Sequence, residues 1–108
     1  MVRGQGSGPA PPGPAPLSPL IHGRVRLLLL SRLVAVPTAH PFTELRAALR
    51  LSDGVLSVNL TKLEKAGLVS VEKTFEGKRP RTLVRVTAEG LAQYRRYVAE
   101  LRVVISGL

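Results

Sequence analysis

Lys78, Arg79 and Arg81 fall within four positions of one another, with Pro80 among them. Cations crowded on a short, stiffened segment suit phosphate oxygens. A narrow cationic loop is also what a minor groove or a nucleic-acid backbone accepts. A loop that only meets water is the ordinary alternative. A second set lies upstream, at 53–66. If that stretch is helical, Leu56, Leu60 and Leu63 share one face. Gly54, Val58, Thr61, Lys62 and Lys65 then hold the opposite face, with Val55 and Ser57 on its flanks. Small residues near the helix start let a backbone approach base edges, and hydroxyls at Ser57 and Thr61 can bond a base or a phosphate. Val58 suits a thymine methyl, while Lys62 and Lys65 stand at phosphate-reaching positions. An amphipathic helix with a solvated polar face would show the same pattern.

Catalysis finds no comparable set. No carboxylate pair, nucleophile with its base, or phosphate-cradling glycine loop can be assembled. Gly4, Gly6 and Gly8 lie in a Gly/Pro-rich segment, not between a strand and a helix. The chain has no cysteine, which removes disulfides, zinc–thiolate sites and thiol redox chemistry and fits a reducing cytoplasm. His22 and His40 are the only histidines and lack a carboxylate set nearby, so neither a metal nor a cofactor is expected. Asp53 is able to accept from a cytosine amino group, but opposing the helix dipole is its simpler role.

Local signals define the elements that must hold these residues. Ser18-Pro19 opens an ordered segment, with His22 at the start of a first helix. Val25, Leu27, Leu28, Leu29, Leu30, Leu33 and Val34 make that helix apolar on several faces. Residues 36–41 read as a loop bracketed by prolines. Thr43 is placed to cap a second helix, with Glu44 in its first turn. Leu45 and Leu49 share one side of it, Arg46 and Arg50 the other. Ser52 caps the third helix, Asp53 begins it, and Gly67 stops it just after Ala66. Val69, Val71 and Lys73 alternate as a strand, 75–80 reads as a turn with Gly77 at positive φ, and Thr82, Val84 and Val86 alternate again. Thr87 caps a last helix carrying Leu91, Tyr94, Val98, Leu101 and Ile105 at seam spacing. Arg95, Arg96 and Arg102 solvate it. The fold class is mainly α with a small β-hairpin, an α+β arrangement.

Sixteen Lys and Arg against seven Asp and Glu give a net charge of +9, which favours polyanionic partners. Apolar residues make up 44% but aromatics only 4%, so the core must be aliphatic. Residues 1–17 are almost wholly Gly, Pro, Ala and Ser and are expected to form a disordered tail, leaving 18–108 as one domain. The longest apolar run, 25–34, is broken by Arg26, Ser31 and Arg32 and falls short of the ~20 residues a membrane span needs. No secretory signal is evident at the N-terminus.

The stretch from Leu51 to Val69 resembles the recognition-helix segment of winged-helix regulators of the MarR, ArsR and PadR-like type. Residues 71–82 and Thr87-Ala-Glu-Gly are similar to a small subgroup of stand-alone winged helices, so the resemblance covers 19–105. Val58 and Asn59 depart from the polar or basic residue and the histidine of many relatives, so no particular base preference carries over. The resemblance implies a transcriptional regulator that dimerises through its first and last helices on a two-fold-related operator; a cytoplasmic repressor is expected. Helix 53–66 would occupy the major groove and the basic wing 75–81 the flanking backbone or minor groove. The residues expected at double-stranded DNA are Arg46, Gly54, Val55, Ser57, Val58, Thr61, Lys62, Lys65, Lys78, Arg79 and Arg81. Those expected between subunits are Leu20, Ile21, Val25, Leu28, Leu91, Tyr94, Val98, Leu101 and Ile105, with Tyr97, Val103 and Val104 as surplus apolar surface off the seam. The other reading is a winged-helix protein-interaction module without specific DNA binding.

Overall fold

The computed structural model describes residues 17–107. Its elements run α1 (Arg24–Ala35), β1 (His40–Pro41), α2 (Phe42–Leu49), α3 (Asp53–Lys65), β2 (Val69–Glu76), β3 (Arg79–Val86) and α4 (Ala88–Ser106). The expected tail lies outside the described residues except for Leu17, which is half-buried against the core. The turn at 19–22 precedes α1, so His22 stands just before the helix.

Helix ends follow their capping chemistry where the caps are strong. The Ser52 hydroxyl accepts from the Val55 N–H at 3.2 Å and starts α3. At the other end Gly67 adopts φ +79°. The Gly67 N–H bonds the Glu64 carbonyl at 2.9 Å and the Leu68 N–H bonds the Leu63 carbonyl at 3.0 Å. That pair of bonds satisfies carbonyls the helix would leave open, and it needs a residue tolerant of the left-handed region.

Helix α2 departs from expectation at both ends. Its N-cap is Pro41, with no side-chain cap, and Thr43 sits inside the first turn. The chain arrives extended because His40 and Pro41 pair with Val84 and Leu83. A third strand therefore occupies the end of the expected loop, at a sheet edge where proline's missing N–H costs no ladder bond. At the far end Arg50 lies beyond the helix in the left-handed region, φ 55°, and so leaves the face it was to share with Arg46. It reverses the chain into α3.

The sheet order is β1-β3-β2. Its hairpin turns on Gly77 and Lys78 alone, with Gly77 at φ +64°. Phe75 pairs with Pro80 and Glu76 with Arg79, so both strands reach further than the expected six-residue turn allowed.

The core is aliphatic, as composition requires. Leu29, Leu30 and Leu33 of α1, Leu45 of α2, and Leu56, Leu60 and Leu63 of α3 meet Leu68, Val69, Val84 and Val86. Its one aromatic member corrects an expectation. Tyr97 is not surplus surface but one of the most buried side chains, its hydroxyl 2.7 Å from His22 Nδ1. A buried phenol needs such a partner. Ile21 is likewise buried within this chain and offers no surface to a second subunit. The Tyr94 hydroxyl bonds the Ser31 hydroxyl at 2.8 Å, tying α4 to α1.

Helix α4 is clasped at its start. The Thr87 hydroxyl donates to the Gly67 carbonyl at 2.6 Å and accepts from the Gly90 N–H at 2.9 Å, while the Thr87 N–H donates to the Leu68 carbonyl at 3.1 Å. Gly90 packs directly on that carbonyl. Among the described residues no helix is long and apolar enough to cross a membrane.

Candidate nucleic-acid interface

Burial of Leu56, Leu60 and Leu63 fixes the rotation of α3, and the rest of the helix follows from its period. Gly54, Val55, Ser57, Val58, Thr61, Lys62 and Lys65 are all exposed. Ser57, Val58, Thr61, Lys62 and Lys65 line one shallow depression. Val58 is 56% exposed with nothing apolar to cover it. A Cβ at Gly54 would meet open space, so an approaching surface can come close to the backbone there.

A groove of about 400 Å³ joins this face to the hairpin. Ser57, Leu60, Thr61 and the carboxylate-bearing Glu64 form its α3 wall, Val71, Lys73 and Thr82 its strand wall, and Phe42 also lines it. Lys73 was legible only as part of an alternating strand. Lying on the same strand face as Val69 and Val71, it points towards α3 and adds a cation between helix and hairpin. A second hollow, about 540 Å³, runs along the outer edge of β3 between Thr43–Glu44 and Arg79–Thr82.

The cations divide into two groups. Arg46 Nε lies 3.4 Å from Asp53 Oδ1 across the α2–α3 turn, and Arg81 Nη1 lies 3.2 Å from Glu76 Oε2 across the hairpin. Both pairs are exposed, contribute little to stability and can exchange a carboxylate for a phosphate. Lys62, Lys65, Lys73, Lys78 and Arg79 make no salt bridge among the described residues, although Glu76 stands opposite Arg79 in the ladder and Glu64 lines the groove with Lys73. The described residues contain no cluster of His, Cys, Asp or Glu suited to a metal.

Two residues that position this surface escaped sequence reasoning. The Asn59 side chain turns from the outer face towards α1. Its Oδ1 accepts from Arg26 Nη1 at 2.9 Å and its Nδ2 donates to the Val55 carbonyl at 2.8 Å. Arg26 also donates to the carbonyls of Leu20 and Pro19, so one guanidinium joins the N-terminal turn, α1 and α3. Gly23 makes room for it, since a Cβ there would lie 2.5 Å from the guanidinium. The available signal was an arginine inside an apolar helix, which requires acceptors. Arg26→Ala is expected to lower stability by about 1–3 kcal/mol, because two of the acceptors it serves, on Leu20 and Asn59, are half-buried. Urea unfolding checks this against Arg24→Ala, an exposed site expected to change little.

Comparison with known proteins agrees with this geometry. Residues 25–105 match the family model of a winged helix DNA-binding domain. The chain is 31% identical over 77 residues to an uncharacterized protein of Methanocaldococcus jannaschii, covering 71% of this chain and 83% of that one. Among solved structures it is similar to a transcriptional regulator homologue from Pyrococcus horikoshii, with 32% identity, a TM-score of 0.76, and coverage of 82% of this chain and 86% of that one. It is also similar to an Enterococcus faecalis protein assigned to the MarR family of transcriptional regulators, with 31% identity, a TM-score of 0.67 and coverage of 77% and 74%.

Proposed function

The chain belongs to the winged helix DNA-binding domain family, a family of DNA-binding regulators and not of enzymes, and from that premise we propose that it is a sequence-specific repressor acting as a homodimer. Helix α3 enters the major groove, with Ser57 and Thr61 at base edges or phosphates and Val55 and Val58 against thymine methyls. Lys62 and Lys65 hold the backbone, and the β2–β3 wing reaches the flanking backbone or minor groove through Lys78, Arg79 and Arg81. Residues 18–108 form one unit, binding module and dimerisation helix together, that works in the cytoplasm.

The observation that carries this reading is that the outer face of α3 and the Lys73–Thr82 groove of the hairpin adjoin through Ser57 and Thr61, with the exposed Lys78 and Arg79 further along the same hairpin. The dimer rests on uncovered apolar area. Val103 and Ile105 are 55% and 56% exposed near the end of α4 and Leu28 is exposed on α1, while Leu20, Val25, Leu91, Tyr94, Val98 and Leu101 pack on this chain's own core and stay half-exposed. A second copy covers these residues; alone they would form an aggregation-prone patch.

Selection of bound duplexes from a random pool tests both parts. The expected product is a two-fold-repeated motif, its half-sites about one helical turn (~34 Å) or a multiple apart. Equal affinity for every duplex overturns sequence recognition. A sedimentation mass of one chain at micromolar concentration overturns the dimer.

A further inference from the structure

Phe75 is the most exposed large hydrophobic side chain among the described residues, at 69%. It lies two residues before the Gly77-Lys78 turn and pairs across the ladder with Pro80. Along β2 it shares a face with Val69, Val71 and Lys73, the face that packs on α3 nearer the core. Beyond the end of that packing, Phe75 and Pro80 continue the same side of the wing with nothing of this chain over them. The surplus apolar surface assigned to a second subunit lies on α1 and α4, so the dimer gives Phe75 no cover.

The surroundings select the occupant. Lys73 precedes Phe75 on its own face and Lys78 stands at the turn, neither in a salt bridge among the described residues, while Arg79 lies on the opposite face across from Glu76. An apolar group flanked by two such lysines is disfavoured against a basic neighbour and favoured against a polyanion with apolar gaps. Duplex DNA is such a partner, because stacked bases part to admit apolar side chains delivered through the minor groove. Strand pairing fixes the backbone at both positions, and the Pro80 ring is rigid, so the wedge is formed before contact.

We propose that Phe75, backed by Pro80, is a wedge that enters the minor groove beside the recognition helix and unstacks one base step in each half-site. The proposal rests on the DNA-binding reading above and deepens it. Unstacking is least costly at pyrimidine–purine steps, so the wing selects TA or CA/TG where it inserts, without a hydrogen bond to any base. This assigns Phe75 a part in specificity that the wing cations, which grip every phosphate alike, do not have.

Permanganate, which oxidises unstacked thymines, supplies the test, since each favoured step contains a thymine. On a duplex recovered by selection, the unaltered protein is expected to make one thymine per half-site hyperreactive, outside the major-groove footprint of α3. Phe75→Ala should abolish that reactivity, keep the α3 footprint, and lose the pyrimidine–purine preference when selection is repeated. Phe75→Leu should preserve both. Circular dichroism confirms that the variants fold, as substitution at so exposed a site allows. Absence of the hyperreactive thymine with the unaltered protein, or its persistence in Phe75→Ala, overturns the proposal. Reduced self-association of Phe75→Ala with unchanged thymine reactivity also overturns it and assigns the ring to contact between chains. If no duplex is recovered at all, the DNA-binding reading itself fails before Phe75 is altered.

Discussion

Gly90→Ala should cost the protein about 3 kcal/mol of stability, at the upper end of what overpacking does. A Cβ at this position would stand 2.0 Å from the Leu68 carbonyl oxygen and 3.0 Å from a Val86 methyl. The oxygen belongs to the backbone, so no side chain can swing aside. Helix α4 would have to lift from the α3–β2 junction. Lifting it stretches the Thr87 bonds to the Gly67 and Leu68 carbonyls that anchor its first turn. Domains of this size are stable by only about 5–15 kcal/mol, so the loss is a substantial share. Urea unfolding measures it as a lower midpoint with little change in slope. Gly54→Ala is the internal contrast. It is helical, its Cβ would meet open space, and the change should stabilise by about 0.5–1 kcal/mol. Equal effects of the two substitutions would show that α4 does not seat on that carbonyl.

The largest expected effect on binding belongs to the tip of the wing. Lys78 and Arg79 are exposed and make no salt bridge among the described residues. If each contacts one phosphate, Lys78→Ala with Arg79→Ala removes four contacts from the two wings of the proposed homodimer and should reduce the slope of log affinity against log salt by about 3.6. At 0.15 M salt that corresponds to a complex weaker by about 900-fold, taking affinity at 1 M as unchanged. Arg81→Ala alone should do less, because its guanidinium already faces Glu76 and must leave that carboxylate to reach a phosphate. Titrations of a selected duplex at several salt concentrations distinguish the cases. An unchanged slope in the double variant would mean that the wing tip does not touch the backbone.

Both effects stem from features of different visibility in the sequence. Net charge is a property of composition, the run Lys78 to Arg81 and the periodic outer face of α3 are local, and each points to the same polyanion. Which cations are free is not local. Arg46 and Arg81 looked equivalent to the others until folding brought carboxylates within 3.4 and 3.2 Å of them. Phe75 was read as part of a turn because Gly77 and Pro80 punctuate that stretch. Cross-strand pairing made it a strand residue held at the wing's end. Asn59 looked like a departure on a recognition helix, yet its partner is Arg26, 33 positions away.

What the sequence determined by itself is whatever repeats or caps within one or two turns: Ser52 and Thr87 as helix starts, Gly67 and Gly77 as reversals, the Leu56–Leu60–Leu63 stripe, and the alternation of the hairpin. Those signals depend only on backbone period and on hydrogen bonds between near neighbours. Tertiary structure decided which side of an apolar helix is spent inside the chain. On α4 the seam spacing favoured Leu91, Tyr94, Val98, Leu101 and Ile105, but Tyr97 took the core, because His22, 75 positions distant, supplies the polar partner that a buried phenol requires. It likewise made a strand of His40 and Pro41, which no local signal could do, since a two-residue strand exists only through the partner it pairs with.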